Sequence, residues 1–338
     1  MAPGTISGVE NPEDRLRMER PPGGYRLPSP EGPGIAVEPP PSPGLQAFAF
    51  FFIVLVAGLL VLSFFSRPVM DLLARGFTAI GWPVLGPSFY VRRGWINAIS
   101  TYPVAYLVQV IGTQLLFLGL AVAGALVLGR GVRDRLGLVR PRGGWRVLGL
   151  AVILEVLTFG FGIAAALALL PADYKTPDIQ MRQLMMFREA TTPVWLALLA
   201  AMSILPGISE EALFRGLIQR RLIAGWGVWG GILVTGLLFT FLHPPLVRSL
   251  ILMPGCLWLG YVAWRCGSIL PGIVLHAGTN AGVQGIVRFM PMDATSEDTI
   301  TTTARLVAAG VAIASAGLAA WLLVLVHRWT RVTPPSTA

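Results

Sequence analysis

The feature that most constrains this chain is its series of long apolar stretches. A hydrocarbon core about 30 Å thick is crossed by about 20 apolar residues of helix. On that ruler the sequence divides into about eight spans, near 45–65, 98–129, 147–170, 194–221, 226–245, 247–265, 268–289 and 303–327. Inside lipid every backbone N–H and C=O must find its partner within the protein, and apolar runs of this length achieve that as helices. The expected fold is therefore all-α, a polytopic membrane protein with about eight transmembrane helices. Composition agrees: of 338 residues, 54% are hydrophobic and 13% charged, and the mean hydropathy is +0.68. Soluble domains do not have such values.

The flanking segments set the organisation. Residues 1–44 are rich in Pro and Gly and of mixed charge, which predicts a disordered cytoplasmic tail. That tail lacks the adjoining basic and apolar regions of a signal peptide. Residues 45–193 read as N-terminal membrane helices with a basic loop, 194–289 as a segment carrying most of the buried polar groups, and 290–338 as a last helix and a cytoplasmic tail. The stretch 66–97, with its Pro, Gly and Trp, suits an interfacial or re-entrant segment.

Orientation follows from RGVRDRLGLVRPRGGWR, residues 130–146, whose six Arg against one Asp predict a cytoplasmic loop. Alternation of the spans then puts Arg220, Arg221, Arg265, Arg328, Arg331 and both termini on the same side. The acidic loops 171–193 and 290–302 fall outside. The net charge of +9 is explained by these loops, so a lipid bilayer is an expected partner and nucleic acid is not. Arg is used almost to the exclusion of Lys, and Gly and Ala are abundant, which suggests a GC-rich bacterial genome and hence a bacterial inner membrane. Cys256 and Cys266 share one apolar stretch without metal or redox spacing and read as small core residues. No internal repeat is visible, so a transporter of inverted halves gains no support.

An ionisable group inside a bilayer costs roughly 2.5 to 3.5 kcal/mol even on lenient scales, so each needs a partner or a wet cavity. Within the spans these are Glu155, Glu210, Glu211, Arg215, His243 and His276, with neutral Asn280 near the last. Residues four apart share a helix face, which aligns Glu211 with Arg215, Phe239 with His243, and His276 with Asn280. Glu210 lies about 100° round the helix from Glu211 and points away from the Arg pair. Glu155 belongs to no motif and is expected to pair with a neighbouring helix or line the cavity, while His327 sits at an interface beside Arg328. Gly278 and Gly282 offer a small-residue face for close approach of the seventh span. One conflict stands out: if the fifth span runs outward from Trp226, His243 comes about 27 Å along it, whereas Glu210 lies nearer the cytoplasmic side.

The set Glu210-Glu211-x-x-x-Arg215, Phe239-x-x-x-His243 and His276-x-x-x-Asn280, complete and in order on separate apolar spans, resembles the three motifs of the CAAX protease and bacteriocin-processing (Abi, or CPBP) family of intramembrane proteases. The resemblance covers about residues 194–289, including FRG from Phe214 and SILPGIVLHAGTN from Ser268. It implies that Glu210, His243, His276 and Asn280 are catalytic, with Glu211, Arg215 and Phe239 in support. In that assignment Glu210 is the base, His243 holds or polarises the water, and His276 and Asn280 donate to the oxyanion. Two versions stay open: Glu210, His243 and His276 ligating a Zn²⁺ ion as in a metalloprotease, or a glutamate mechanism without metal. The sequence lacks HExxH, and Asn280 is a poor zinc ligand. The implied activity is hydrolysis of a peptide bond in or next to the bilayer by a glutamate-activated water. The alternative is a noncatalytic membrane scaffold or bacteriocin-immunity-type protein of the same fold.

Overall fold

The computed structural model describes residues 46, 49–50, 103–128, 131–144, 146–170, 178–243, 246–289 and 302–329, all within the compact unit Pro41–Ala338. The expected tail 1–44, the interfacial segment 66–97 and nearly all of the first span lie outside these residues, as does most of the acidic loop 290–302. Among the described residues every regular element is helical. They are α1 (Pro103–Val127), a short α2 (Val132–Leu136), α3 (Arg146–Leu169), α4 (Asp178–Glu189), α5 (Thr192–Glu210), a π-helical stretch (Glu211–Gln219), α6 (Arg220–Phe241), α7 (Leu246–Cys266), α8 (Leu270–Phe289) and α9 (Thr302–Trp329). Five runs are long and apolar enough to cross a membrane, with Thr192–Phe241 counted as one. The chain is a polytopic all-α membrane protein. Helix α8 falls short of that apolarity because His276, Asn280, Gln284 and Arg288 interrupt it.

Arginines tie the ends of the helices together. Arg220 donates through Nη1 to the Asp134 carbonyl at 3.1 Å and through Nη2 to that of Gly267 at 2.9 Å. Arg221 Nη2 donates to Gln46 Oε1 at 2.6 Å, and Arg265 Nη2 to the His327 carbonyl at 3.1 Å. The basic loop, the end of the π stretch, the α7–α8 turn and the end of α9 therefore share one end of the bundle. At the opposite end Arg288 Nη1 donates to the carbonyls of Arg188 and, at 2.9 Å, of Ala190. The segment expected as an external loop, 171–193, carries α4 here, and Met186 and Phe187 on α4 pack with Tyr106 and Leu198.

Helices α5 and α8 run antiparallel in close contact. At Gly207 an added Cβ would lie 3.0 Å from both Ala277 Cβ and the Ile273 carbonyl oxygen. The expectation that Gly278 and Gly282 make this approach is corrected: nothing lies within 4 Å of a Cβ built at either. The close face of α8 is the one carrying Gly272, His276 and Asn280, and Gly278 and Gly282 are exposed away from it.

The depth conflict between Glu210 and His243 also resolves. Helix α6 is broken at Gly227, with φ 77° and ψ 173°, a backbone region reserved for glycine. The chain folds back there, and a Cβ at Gly231 would lie 2.4 Å from Ile223 Cγ1. Counting outward from that pair by equal steps aligns Phe239 with Arg215 and His243 with Glu211. The Arg215 guanidinium indeed lies over the Phe239 ring, 4.6 Å from its centroid. The turn lies beyond Arg220 and Arg221, so the fourth span reaches deeper than its last apolar residue suggests.

The α5–α8 crossing has a direct test. Gly207→Val should lower the unfolding temperature in detergent, overpacking of this kind costing about 1–3 kcal/mol. Gly282→Val, with open space around its Cβ, should leave it unchanged.

Candidate active site

The Glu211 carboxylate is fully buried, with 0% of its side chain exposed, and is paired to Arg215 Nη1 at 3.0 Å. Two charges in so dry a place require further partners. Glu211 Oε1 also faces His276 Nδ1 at 3.1 Å, and Arg215 Nη2 donates to the Cys256 carbonyl of α7 at 3.2 Å. One helical step on, Gln219 Nε2 donates to the Gly260 carbonyl at 2.8 Å. Side chains four apart on the π stretch thus meet carbonyls four apart on α7. Gly272 makes room for the acid, since a Cβ there would sit 2.8 Å from Glu211 Oε2. A carboxylate only accepts, so Nδ1 of His276 carries the proton in this bond.

Glu210 occupies a different environment, as its position round the helix requires. Its Oε1 accepts from Gln114 Nε2 of α1 at 2.8 Å. Its Oε2 is buried without a hydrogen-bond partner and lies 3.8 Å from His276 Nε2. His276 therefore stands between the two acids, one ring nitrogen toward each. Phe239 joins the remaining groups: its ring stacks on His243 at 4.6 Å and meets His276 edge-on at 5.9 Å. His243 is fixed at the end of α6 by Nδ1 on the Phe239 carbonyl at 2.9 Å, and Ser249 Oγ donates to its backbone carbonyl at 3.2 Å. A carbonyl only accepts, so His243 Nδ1 is protonated and a neutral ring presents Nε2 as a lone pair.

Asn280 lies one turn beyond His276 and has a structural task that the sequence did not reveal. Pro206 inside α5 lacks an N–H, so the carbonyl of Met202, four residues earlier, loses its helical partner. Asn280 Nδ2 donates to that carbonyl at 3.0 Å, which leaves one further N–H on the amide.

Glu155 of α3 is buried behind α8, with Oε1 accepting from Thr279 Oγ1 at 3.3 Å. Its contact on α8 thus falls on Thr279, while the acids Glu210 and Glu211 meet His276. Neither Gln114 nor Ser209, whose hydroxyl donates to Gln114 Oε1, stood out among the ionisable residues. A Gln in the middle of an apolar helix was the available signal. As for zinc, no three His, Cys, Asp or Glu side chains among the described residues are placed to hold one ion. Nδ1 of each histidine is engaged, on the Phe239 carbonyl and on Glu211 Oε1, which leaves Nε2 as the nitrogen each ring can offer to a partner.

The link between Pro206 and Asn280 predicts non-additivity. Asn280→Ala should lower stability by about 1–3 kcal/mol, the cost of an unsatisfied buried carbonyl. In a Pro206→Ala background, where the helix regains the Met202 bond, the same substitution should cost much less in thermal unfolding. Equal losses in the two backgrounds would contradict the assignment.

No curated protein and no solved structure matches the chain. The segment that holds α5, the π stretch, α6, α7 and the part of α8 with His276 and Asn280 does match a family model: residues 192–282 fit the family described as type II CAAX prenyl endopeptidase Rce1-like, the family of proteases that the three motifs resemble.

Proposed function

We propose that this protein is an intramembrane endopeptidase in which Glu210 activates a water that attacks a peptide bond in or next to the bilayer. The observation that carries the reading is the placement of Glu210 Oε2, buried, without a hydrogen-bond partner, and 3.8 Å from a histidine whose other nitrogen is bonded to a second acid. Such an oxygen is poised to take a proton.

In the proposed reaction the Glu210 carboxylate removes a proton from water while Nε2 of His243 accepts a hydrogen bond from the same water and orients it. The hydroxide adds to the scissile carbonyl. His276, held by Glu211, donates from Nε2 to the oxyanion, and the second N–H of Asn280 assists it. Protonated Glu210 then gives its proton to the leaving amine, and the carboxylate is regenerated. Glu211 is met by Arg215 and His276, and Glu210 by Gln114 with His276 nearby, which is how a low-dielectric site tolerates two acids. No step requires a metal ion.

The segment matching a prenyl endopeptidase family supports a peptide or a membrane-protein segment as the substrate, and the arginines of the basic loop support the orientation. We place 130–146 and both termini in the cytoplasm of a bacterial cell, with the site opening within the inner membrane. Labelling of a cysteine introduced at residue 140 should occur only from the cytoplasmic side of intact membranes, and labelling from outside would reverse the topology.

The two acids separate by mutation. Glu210→Gln keeps the shape and the amide cannot take a proton, so turnover of a peptide selected from a library on the purified wild-type protein should vanish while the unfolding temperature is kept. Glu211→Gln leaves Arg215 buried and unpaired and should lower stability by about 3 kcal/mol or more. Wild-type turnover in Glu210→Gln would turn the reading toward a noncatalytic scaffold.

A further inference from the structure

Helix α1 lies outside the segment matched to the protease family, yet it sends one side chain to Glu210. Gln114 is only 7% exposed, and an amide buried in a membrane helix is costly unless both of its ends are bonded. Both are. Nε2 donates to Glu210 Oε1 at 2.8 Å, and Oε1 accepts from the hydroxyl of Ser209, the residue just before Glu210. The same hydroxyl lies 2.7 Å from the Leu205 carbonyl of its own helix, a second acceptor for its single proton.

The chemistry of the partners fixes the direction of this chain. An ionised carboxylate has no proton to give, so the NH₂ end of Gln114 must face Glu210 and the C=O end must face Ser209. The result is a closed triangle of Ser209, Gln114 and Glu210 spanning two helices. It occupies Oε1, and Oε2 remains the oxygen without a partner.

From this geometry we infer that Gln114, oriented by Ser209, is a positioning residue that selects Oε2 of Glu210 as the proton acceptor. This rests on the reading of Glu210 as the base. His276 on α8 faces that carboxylate, its Nε2 3.8 Å from Oε2, and the charges of His243 at the end of α6 and of Arg215 on the π stretch act on it from further away. Without Gln114 nothing holds Oε1, and the carboxylate is free to turn both oxygens toward His276. The base then loses its aim at the water.

The test is steady-state kinetics on folded, detergent-purified full-length protein with the library-selected peptide, active enzyme being normalised by thermal unfolding. Gln114→Met keeps the volume and removes the donor. It should lower kcat roughly 10- to 100-fold, as expected for loss of one hydrogen bond to a charged group, while KM stays the same. Ser209→Ala should lower kcat less, and in the Gln114→Met background it should have no further effect, because Ser209 acts only through Gln114. Should Gln114→Met fail to fold, Gln114→Asn, whose amide is withdrawn by one methylene, gives the same reading. A wild-type kcat in the Gln114 variant, or losses that multiply in the double variant, would overturn this inference while an inactive Glu210→Gln leaves the base intact. Wild-type activity in Glu210→Gln would overturn both.

Discussion

The ion pair between Glu211 and Arg215 organises the rest of the structure. Both side chains are almost wholly removed from solvent, and a buried pair of this kind gains little stability in itself because the desolvation cost consumes most of the attraction. Breaking it is another matter, since one uncompensated charge would remain in the interior. The neighbouring helices are therefore committed to particular positions. Helix α7 supplies a carbonyl, α6 supplies the face of Phe239, and α8 supplies a histidine together with a glycine that leaves space for the acid. Three helices are brought to one point, and Glu210, adjacent to Glu211 in the chain, arrives there with its own environment.

Two departures from ideal helix geometry lie beside the pair, and a third lies at the end of the bundle. Pro206 opens a gap in α5, the next turns widen into a π stretch, and Gly227 reverses the chain. Irregular backbone at membrane depth is tolerated only where protein or water satisfies it. Here Asn280 closes the gap that proline leaves, and every residue of the π stretch is buried. Apolar side chains such as Phe241 and Ile313 are exposed on the outside of the bundle, as a surface meeting lipid requires.

Much of this was legible in the sequence, for identifiable reasons. Spans are set by apolar length, so α1, α3, α7, α8 and α9 fall within a few residues of their expected limits. Ionisable groups in lipid are few enough to count, so Glu210, Glu211, Arg215, His243 and His276 were found by cost alone. What stayed hidden depends on how helices meet. The turn at Gly227 lies among residues apolar enough to continue a span, so the depth of His243 was misjudged. Which glycine makes a close contact depends on the direction of each face, so Gly272 and Gly207 were passed over for Gly278 and Gly282. Gln114 is neutral and escaped a search for charge, and the bond from Asn280 to Met202 becomes visible only once a proline on one helix faces an amide on another.

The central claim is that Glu210 acts on water and never bonds to the substrate itself. Single-turnover cleavage in ¹⁸O-labelled water, followed by mass analysis of product and enzyme, tests this directly. Water activated by a base places one heavy oxygen in the new carboxyl group of the peptide product and none in the enzyme fragment containing Glu210. Heavy oxygen in the Glu210 side chain would instead show that the carboxylate attacks the carbonyl to form an anhydride, and would contradict the account.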